Sequence, residues 1–271
     1  MGKLLTADEV AAYRRDGYLA PVPVLEETEA RAYRARLEEG MVRTGGALLK
    51  DLRHKPHLTL RWAQELVRHP QVLDAVEDVI GPDILCWESV LFAKPPASPD
   101  FVGWHQDITY WGLGEDDVVT AWIALSPSTA ESGCMQVVPG THMREVVAHR
   151  DTYAPTNMLS RGQELAVEVD RAQVRDLVLA PGEMSLHHVK IFHGSDANRS
   201  ADWRLGFAIR YLPPHVRQVA GDGDSATLVR GRDTHGHFEL ERAPEDDLTP
   251  EVLAYHAALK QRRMAILMRV K

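Results

Sequence analysis

Apolar and polar positions follow two different periods along this chain, and the change between them divides it. Near the N-terminus, residues 6–9 have the Thr-x-x-Glu form of a capping box, which predicts a short helix ending before Gly17. Residues 26–40 and 62–80 repeat apolar side chains at helical spacing, and the second segment stops at Gly81-Pro82. This N-terminal part is therefore predicted to be mainly helical.

From Ile84 onward the pattern is typical of strands. Short β-type runs cover residues 84–93, 118–125, 134–138, 186–193 and 203–211, with turns rich in Gly, Pro and Ser between them. The chain has 271 residues and no internal repeat, which predicts a single domain. The pattern alone predicts a mainly β fold with flanking helices.

The predicted domain has a helical N-terminal part at about 1–82, a barrel at about 83–215 and a helical tail at about 249–271. Residues 141–176 lack strong periodicity between two strands, and such long insertions are often functional. We expect a lid-like insertion that covers the substrate, although a passive loop is also compatible with the sequence. The polar side chains in it that are candidates for contact with a polar or anionic substrate are Arg150, Asn157 and Arg161.

The composition argues against some classes of partner. The formal net charge is −8 and the pI is about 5.9, which argues against a polyanion-binding surface and therefore against nucleic acid. Cys86 and Cys134 lie in apolar runs and are expected to be buried thiols rather than a disulfide. Neither a signal-like apolar core nor a membrane-spanning apolar run is present, so a cytoplasmic protein without a membrane partner is expected. The sequence leaves the oligomeric state open.

The candidate chemistry lies in two separated segments of the strand-rich part. Residues 103–107 place the imidazole of His105 and the carboxylate of Asp107 two positions apart, on one face if the segment is extended. His193 ends a strand in the second segment. An isolated His-x-Asp is more often a core histidine beside a surface aspartate, but with His193 it would complete a two-histidine, one-carboxylate set. That set leaves coordination positions open on non-haem iron(II).

Arg204 begins the strand that follows His193 and its polar turn. In a hairpin this arginine lies close to His193, and its planar guanidinium suits a carboxylate better than a lysine does. The alternative for Arg204 is a salt bridge at the rim of the barrel with a nearby acid such as Asp202.

With these residues in place, the chain resembles the phytanoyl-CoA dioxygenase family of iron(II)- and 2-oxoglutarate-dependent oxygenases. The matching stretches are WHQD at 104–107, VVTAWIALSPSTAESGCMQVVPGTH at 118–142 and PGEMSLHHVKIFHGSDANRSADWRLGFAIRYLP at 181–213. The resemblance implies a double-stranded β-helix, the jelly-roll barrel of the cupin group. It also implies Fe(II), 2-oxoglutarate and dioxygen as cofactor and co-substrates. The expected reaction hydroxylates an unactivated C–H bond of a small molecule while 2-oxoglutarate is converted to succinate and CO₂.

The resemblance also implies roles for individual residues around the metal ligands. Arg204 is expected to bind the distal carboxylate of 2-oxoglutarate, and Ser195 and Gln106 match positions that assist co-substrate binding. Trp122 matches a position near the co-substrate pocket. Lys94 is a further candidate. A buried core aromatic explains Trp122 equally well, and Lys94 is also explained as a solvated loop charge.

Several alternatives stay open at this point. Related halogenases have glycine or alanine in place of the carboxylate, so the aspartate at position 107 favours oxygen insertion. Desaturation or cyclisation by the same iron centre, a non-catalytic cupin-like binding module and a redox-inert metal enzyme are the other interpretations. His187 and His188 point to opposite faces of a strand, and neither is predicted to be a metal ligand. The identity of the substrate is left open.

Overall fold

The computed structural model describes residues 2–270, and most of its helical residues precede the first long strand. The α-helices are α1 (Ala7–Asp16), α2 (Glu27–Arg43), α3 (Arg61–Leu66), α4 (Pro70–Ile80) and α5 (Pro250–Leu267). The predicted capping box of α1 is present, since Thr6 accepts from the backbone of Glu9 and the Glu9 side chain accepts from the backbone of Thr6. Gly17 ends this helix in the left-handed conformation, at φ 81°.

The segment 62–80, predicted as one helical stretch, is two helices. α3 ends at Leu66, and α4 begins at Pro70 after an extended His69. Proline lacks the amide hydrogen that an uninterrupted helix needs and disfavours helical geometry at the residue before it. Pro70 therefore begins a new helix, at the first-turn position where proline is tolerated.

Thirteen strands lie within the described residues. They are β1 (Tyr18–Pro23), β2 (Ile84–Lys94), β3 (Val102–His105), β4 (Val119–Ala124), β5 (Met135–Val138), β6 (His149–Asp151), β7 (Gln163–Leu165), β8 (Arg175–Leu177), β9 (Glu183–His188), β10 (Phe192–Ser195), β11 (Arg204–Leu212), β12 (Ser225–Arg230) and β13 (Glu239–Leu240). The large sheet has the order β1-β9-β4-β11-β2-β12-β13, and the small sheet has the order β3-β10-β5-β8. Residues of both sheets line one cavity between them. The predicted mainly β architecture with flanking helices is therefore present.

Strand β11 lies in the middle of the large sheet and is buried on both faces. Its odd positions, 205, 207, 209 and 211, belong to the apolar core shared with helices α1–α4. Three of its even positions, 204, 208 and 210, line the cavity. The Tyr211 hydroxyl donates to the Val67 carbonyl at 2.9 Å, which ties this strand to the end of α3. The helical layer thus holds the strand from which the cavity is built.

The sheets extend beyond the predicted limits of the barrel. β1, in the short extended segment 18–25 between the predicted helices, pairs with β9, and β12 pairs with β2 beyond the predicted end at residue 215. The insertion 141–176 contains the hairpin β6–β7, and β8 at its end joins the small sheet beside β5. These pairings join segments distant in sequence, which local periodicity does not reveal. No helix among residues 2–270 has the length and apolar character needed to cross a bilayer.

Candidate active site

His105, Asp107 and His193 converge at one end of the small sheet. His105 and His193 are directly opposite each other on β3 and β10, and their ring centroids are 4.1 Å apart. The Nε2 atom of His105 lies 3.2 Å from Oδ1 of Asp107, and Nε2 of His193 lies 3.9 Å from its Oδ2. One ligand atom from each residue lies within 4.8 Å of the other two, so a single ion can be held by all three.

Asp107 lies just beyond the strand that carries His105. β3 ends at His105, Gln106 keeps an extended backbone, and a 3-10 turn begins at Asp107. The expectation that both side chains share one face holds because the extended backbone continues through residue 106. The turn then leads the chain away from the metal-binding position.

The protonation of the three side chains suits a divalent metal. The Nδ1 atoms of His105 and His193 lie 2.8 and 3.1 Å from the carbonyls of Gly103 and Ile191, so each Nδ1 carries the hydrogen and each Nε2 presents its lone pair. Burial and the neighbouring His105 lower the pKa of His193 to about 4. Burial opposes ionisation of Asp107, but the close side chains of His105, His193 and Arg210 hold the pKa of its carboxyl below the usual range. Two neutral imidazoles and a carboxylate are the donor set that non-haem iron(II) prefers.

Arg204 projects from the large sheet into the same cavity and lies over the ring of Trp122, with the guanidinium carbon 4.3 Å from the ring centroid. Its Nε has no hydrogen-bond partner among residues 2–270, and the residue is only 2% exposed. Asp202, the alternative partner, instead forms a bidentate pair with Arg34 at 2.8 Å. An orphaned guanidinium in a cavity fits the carboxylate of a bound ligand.

Lys94 and Ser195 lie beside this arginine. Lys94 is the cross-strand partner of Arg204, and its Nζ donates to the Ser195 hydroxyl at 2.7 Å and also to the Asp196 carbonyl. Burial and the charge of Arg204 lower the pKa of Lys94 to about 7. Lys94 is therefore a buried group beside Arg204 and not a solvated loop charge.

The comparisons with known proteins agree with this geometry. Residues 13–206 match the model of a protein family described as phytanoyl-CoA dioxygenase (PhyH). This match covers most of the chain. The chain belongs to the phytanoyl-CoA dioxygenase family.

Individual relatives give the same result. A probable alpha-ketoglutarate-dependent hypophosphite dioxygenase from Stutzerimonas stutzeri is 30% identical over 187 residues, which are 66% of this chain and 64% of that protein. The chain thus spans just under two thirds of the length of this relative. A solved non-heme monooxygenase, ThoJ in its apo form, is 34% identical with a TM-score of 0.87, covering 97% of this chain and 98% of that one. CytC3, solved with Fe(II) and alpha-ketoglutarate, shares the fold at 24% identity and a TM-score of 0.68, covering 92% of this chain and 97% of that chain.

The predicted family and the predicted double-stranded β-helix are confirmed by these comparisons. The hypophosphite dioxygenase and the non-heme monooxygenase also agree with the predicted enzyme class, and the dependence of the former on alpha-ketoglutarate agrees with the predicted co-substrate. In this member of the phytanoyl-CoA dioxygenase family, the two histidines, Asp107 and Arg204 line one cavity. The roles of the individual site residues stay predictions.

Gln106 does not line the cavity. Its amide nitrogen donates to the Lys190 carbonyl and its amide oxygen accepts from the Val147 backbone, both at 2.9 Å. The side chain therefore connects the metal-binding strand to the beginning of the insertion. A direct contact between Gln106 and the co-substrate stays a prediction that this geometry does not favour.

His187 and His188 point to opposite faces of β9, as predicted for adjacent residues of a strand. His187 lines the cavity, and its ring centroid is 5.1 Å from that of His193. His188 faces away, 5.2 Å from the ring of His142, with its Nδ1 accepting from the Lys190 backbone. His187 lies outside the group of three side chains that can share one ion.

Several residues of the cavity wall were not predicted from the sequence: Phe92, Thr120, Met135, Leu159 and Arg210. Arg210 is six positions beyond Arg204, so the even spacing along one strand already placed both side chains on one face. Leu159 comes from the insertion and has no comparable signal.

The polar side chains of the insertion have partners inside the protein. Asn157 accepts from the Gly103 backbone at 3.4 Å, and Arg161 donates to the Leu267 carbonyl at 3.0 Å. Arg150 lies 3.8 Å from Glu164 across the hairpin. The expected contact of these three groups with substrate stays a prediction, and their internal partners give each of them another role.

Proposed function

We propose that this protein is an iron(II)- and 2-oxoglutarate-dependent dioxygenase that hydroxylates an unactivated C–H bond of a small molecule. The reaction converts 2-oxoglutarate to succinate and CO₂. One observation carries the proposal: a buried two-histidine, one-carboxylate group and a buried arginine without a carboxylate partner in residues 2–270 face the same cavity. A binding module without turnover does not need both.

The residues of the chain have separate tasks in this reaction. His105, Asp107 and His193 hold the iron, which when bound supplies the oxidising chemistry together with dioxygen and 2-oxoglutarate. Arg204 binds the distal carboxylate of the co-substrate, because its planar donors match two oxygens and its burial removes competing water. Lys94 adds positive charge at the same end when it is protonated.

The cavity supports a small molecule as the substrate. It lies between the two sheets, and residues of both sheets and of the insertion enclose it in part. Phe92, Met135 and Leu159 provide apolar wall, which suits the carbon skeleton that presents the reacting C–H bond. We further propose that the insertion, which contributes Leu159, acts as a lid that limits access of water during turnover.

The test is the absorption of the anaerobic protein with Fe(II) as 2-oxoglutarate is added. The parent should develop a visible charge-transfer band, and each of the variants His105→Ala, Asp107→Ala and His193→Ala should lose both the band and turnover while remaining folded. His215→Ala is the matched control, since that histidine is exposed and pairs with Asp117.

A folded, iron-loaded parent without the band, or a fully active His193→Ala variant, would refute the proposed function. The reaction itself is then read from a screen of small molecules for substrate-dependent formation of succinate. A hydroxylated product is expected, whereas a dehydrogenated or cyclised product would correct the reaction type and leave the iron site intact.

A further inference from the structure

A second polar cluster lies on the cavity wall, apart from Arg204. Arg210 on β11 is directly opposite Thr120 on β4, and Thr120 is directly opposite His187 on β9. All three line the cavity, with exposed fractions of 9%, 1% and 2%. Their side chains form one row across three adjacent strands, which we call the Arg210 row.

The members of the Arg210 row lack partners. Within residues 2–270, Nε of Arg210, Oγ1 of Thr120 and Nδ1 of His187 have no hydrogen-bond partner. Over the same residues no acidic oxygen lies within 4.0 Å of the Arg210 guanidinium. Buried polar groups are normally paired, and a buried charge without an ion pair is costly. Three such groups in contact with one cavity indicate a ligand that completes them.

The acid closest in register to Arg210 is already engaged. Glu88 is its cross-strand partner on β2, but the Glu88 carboxylate contacts Arg263 of α5 and accepts from the Lys55 backbone at 3.1 Å. Asp107 belongs to the metal site. The Arg210 guanidinium instead lies over the ring of Trp111, 4.8 Å from its centroid, which stabilises the charge without satisfying its donors.

The Arg210 row is separate from the co-substrate end. Arg204 and Arg210 leave the same face of β11 six residues apart, which is roughly 20 Å along an extended strand. Ser195 and Lys94 lie at the Arg204 end, whereas His187 of the row packs on the metal ligand His193. The Arg210 row therefore lies beside the metal ligands, and Arg204 lies at a different point of the cavity wall. A co-substrate anchored on Arg204 leaves the row free for a second ligand.

We propose that the Arg210 row binds the carboxylate of the primary substrate, which makes the substrate a small carboxylic acid with an apolar body. This inference rests on the proposed function, because it assigns the second ligand of the same site. A guanidinium, a hydroxyl and an imidazole together supply hydrogen bonds for two carboxylate oxygens. The apolar wall of Phe92 and Leu159 suits the rest of the molecule. A carboxylate held there fixes which C–H bond lies next to the metal.

The experiment measures binding without turnover. The protein is loaded with Ni(II) and saturating 2-oxoglutarate, and thermal shift and calorimetry compare three small acids, hexanoate, phenylacetate and N-acetylleucine, with their uncharged primary amides. The parent should bind at least one acid more tightly than its amide. Arg210→Met, which keeps the length of the side chain and removes its charge, should weaken binding of that acid by about 10- to 100-fold. Binding of the corresponding amide should be unchanged.

Two further variants keep the test informative. Thr120→Val retains the shape of the side chain and should weaken binding of the acid by about fivefold. This variant tests the row if Arg210→Met does not fold. Arg217→Gln, at an exposed arginine that pairs with Glu115, should bind like the parent. Equal binding of every acid and its amide by the parent, including no binding of either, would overturn the inference.

A change in co-substrate binding would also overturn it. If Arg210→Met weakens binding of 2-oxoglutarate instead of binding of the acid, the row binds the co-substrate. The charge-transfer band with Fe(II) separates this failure from that of the proposed function: the band belongs to the metal and co-substrate and should be unchanged in Arg210→Met. If the parent protein does not develop the band, this result counts against the proposed function and not against the acid-binding row.

Discussion

Replacing Gly206 by alanine should disturb the Arg204 end of the cavity without replacing any residue that is proposed to bind the metal or the co-substrate. Gly206 lies between Arg204 and Ala208 on the cavity face of β11. A Cβ atom at this position would lie 1.9 Å from Cζ2 of Trp122, and 2.4 and 2.5 Å from the next two ring atoms. Trp122 is the ring on which the Arg204 guanidinium lies. The methyl group therefore has to displace the support of the carboxylate anchor.

The magnitude follows from that overlap. Carbon atoms in contact normally lie about 3.5–4.0 Å apart, so the indole must move by more than 1 Å or the strands must separate. Overpacking of this kind typically costs about 1–3 kcal/mol in the free energy of unfolding, which lowers the melting temperature by several degrees. Trp122 is 4% exposed and lies between strands, so it has little free space into which to move. A displaced Arg204 should raise the apparent KM for 2-oxoglutarate about tenfold.

The assay combines thermal unfolding with titration of 2-oxoglutarate, and a second substitution identifies the cause. Trp122→Phe removes the part of the indole that the new methyl group meets. In the Gly206→Ala background it should therefore recover part of the lost stability, whereas alone it should destabilise the protein. A double-mutant cycle measures this coupling. An unchanged melting temperature and KM in Gly206→Ala, or strict additivity with Trp122→Phe, would refute the reasoning.

Three other predictions concern the same cavity. Arg204→Lys keeps the charge but loses the fork of donors, so the KM for 2-oxoglutarate should rise while iron binding is unchanged; equal 2-oxoglutarate dependence would make Arg204 a structural residue. Because burial and Arg204 lower the pKa of Lys94 to about 7, this amine is charged below that pH and neutral above it, and 2-oxoglutarate should bind more weakly as the pH rises through 7. Lys94→Met should abolish this dependence, and a dependence that persists would assign it to another group. If the insertion 141–176 is a lid, substrate should protect its amides from hydrogen exchange in the iron- and 2-oxoglutarate-loaded protein. Replacing residues 153–161 by two glycines should then uncouple 2-oxoglutarate consumption from product formation. Full coupling in that variant would make the insertion a passive loop.

The parts of the site that could be predicted from the sequence are those held by local geometry. His105 and Asp107 are two residues apart on extended backbone, and His193 and Arg204 belong to consecutive strands. Local spacing therefore constrains these residues, and the resemblance to a family supplied the pairing of the two segments. The buried character of Lys94 followed from neither, because it depends on the Ser195 hydroxyl and the Asp196 carbonyl, about a hundred residues away along the chain.

The parts that could not be predicted depend on contacts across the sheets. The partners of Gln106 are backbone groups of residues 147 and 190, and only the folded chain brings them to one side chain. The membership of β12 in the large sheet has the same cause. The division of the segment 62–80 is different, since Pro70 was visible and its effect on the preceding residue is local. That local effect separates α3 from α4.

Strand β11 connects the fold to the proposed chemistry. Its odd positions are packed against the helical layer, so its even positions cannot shift along the sheet without disrupting that core. The separation of Arg204 and Arg210 along the strand is therefore fixed by the scaffold. A co-substrate on the first arginine and an acid on the second would each be held at a set distance from the metal. The choice of the reacting carbon then depends on the length of the substrate, and the insertion at the mouth decides which molecules of that length can enter.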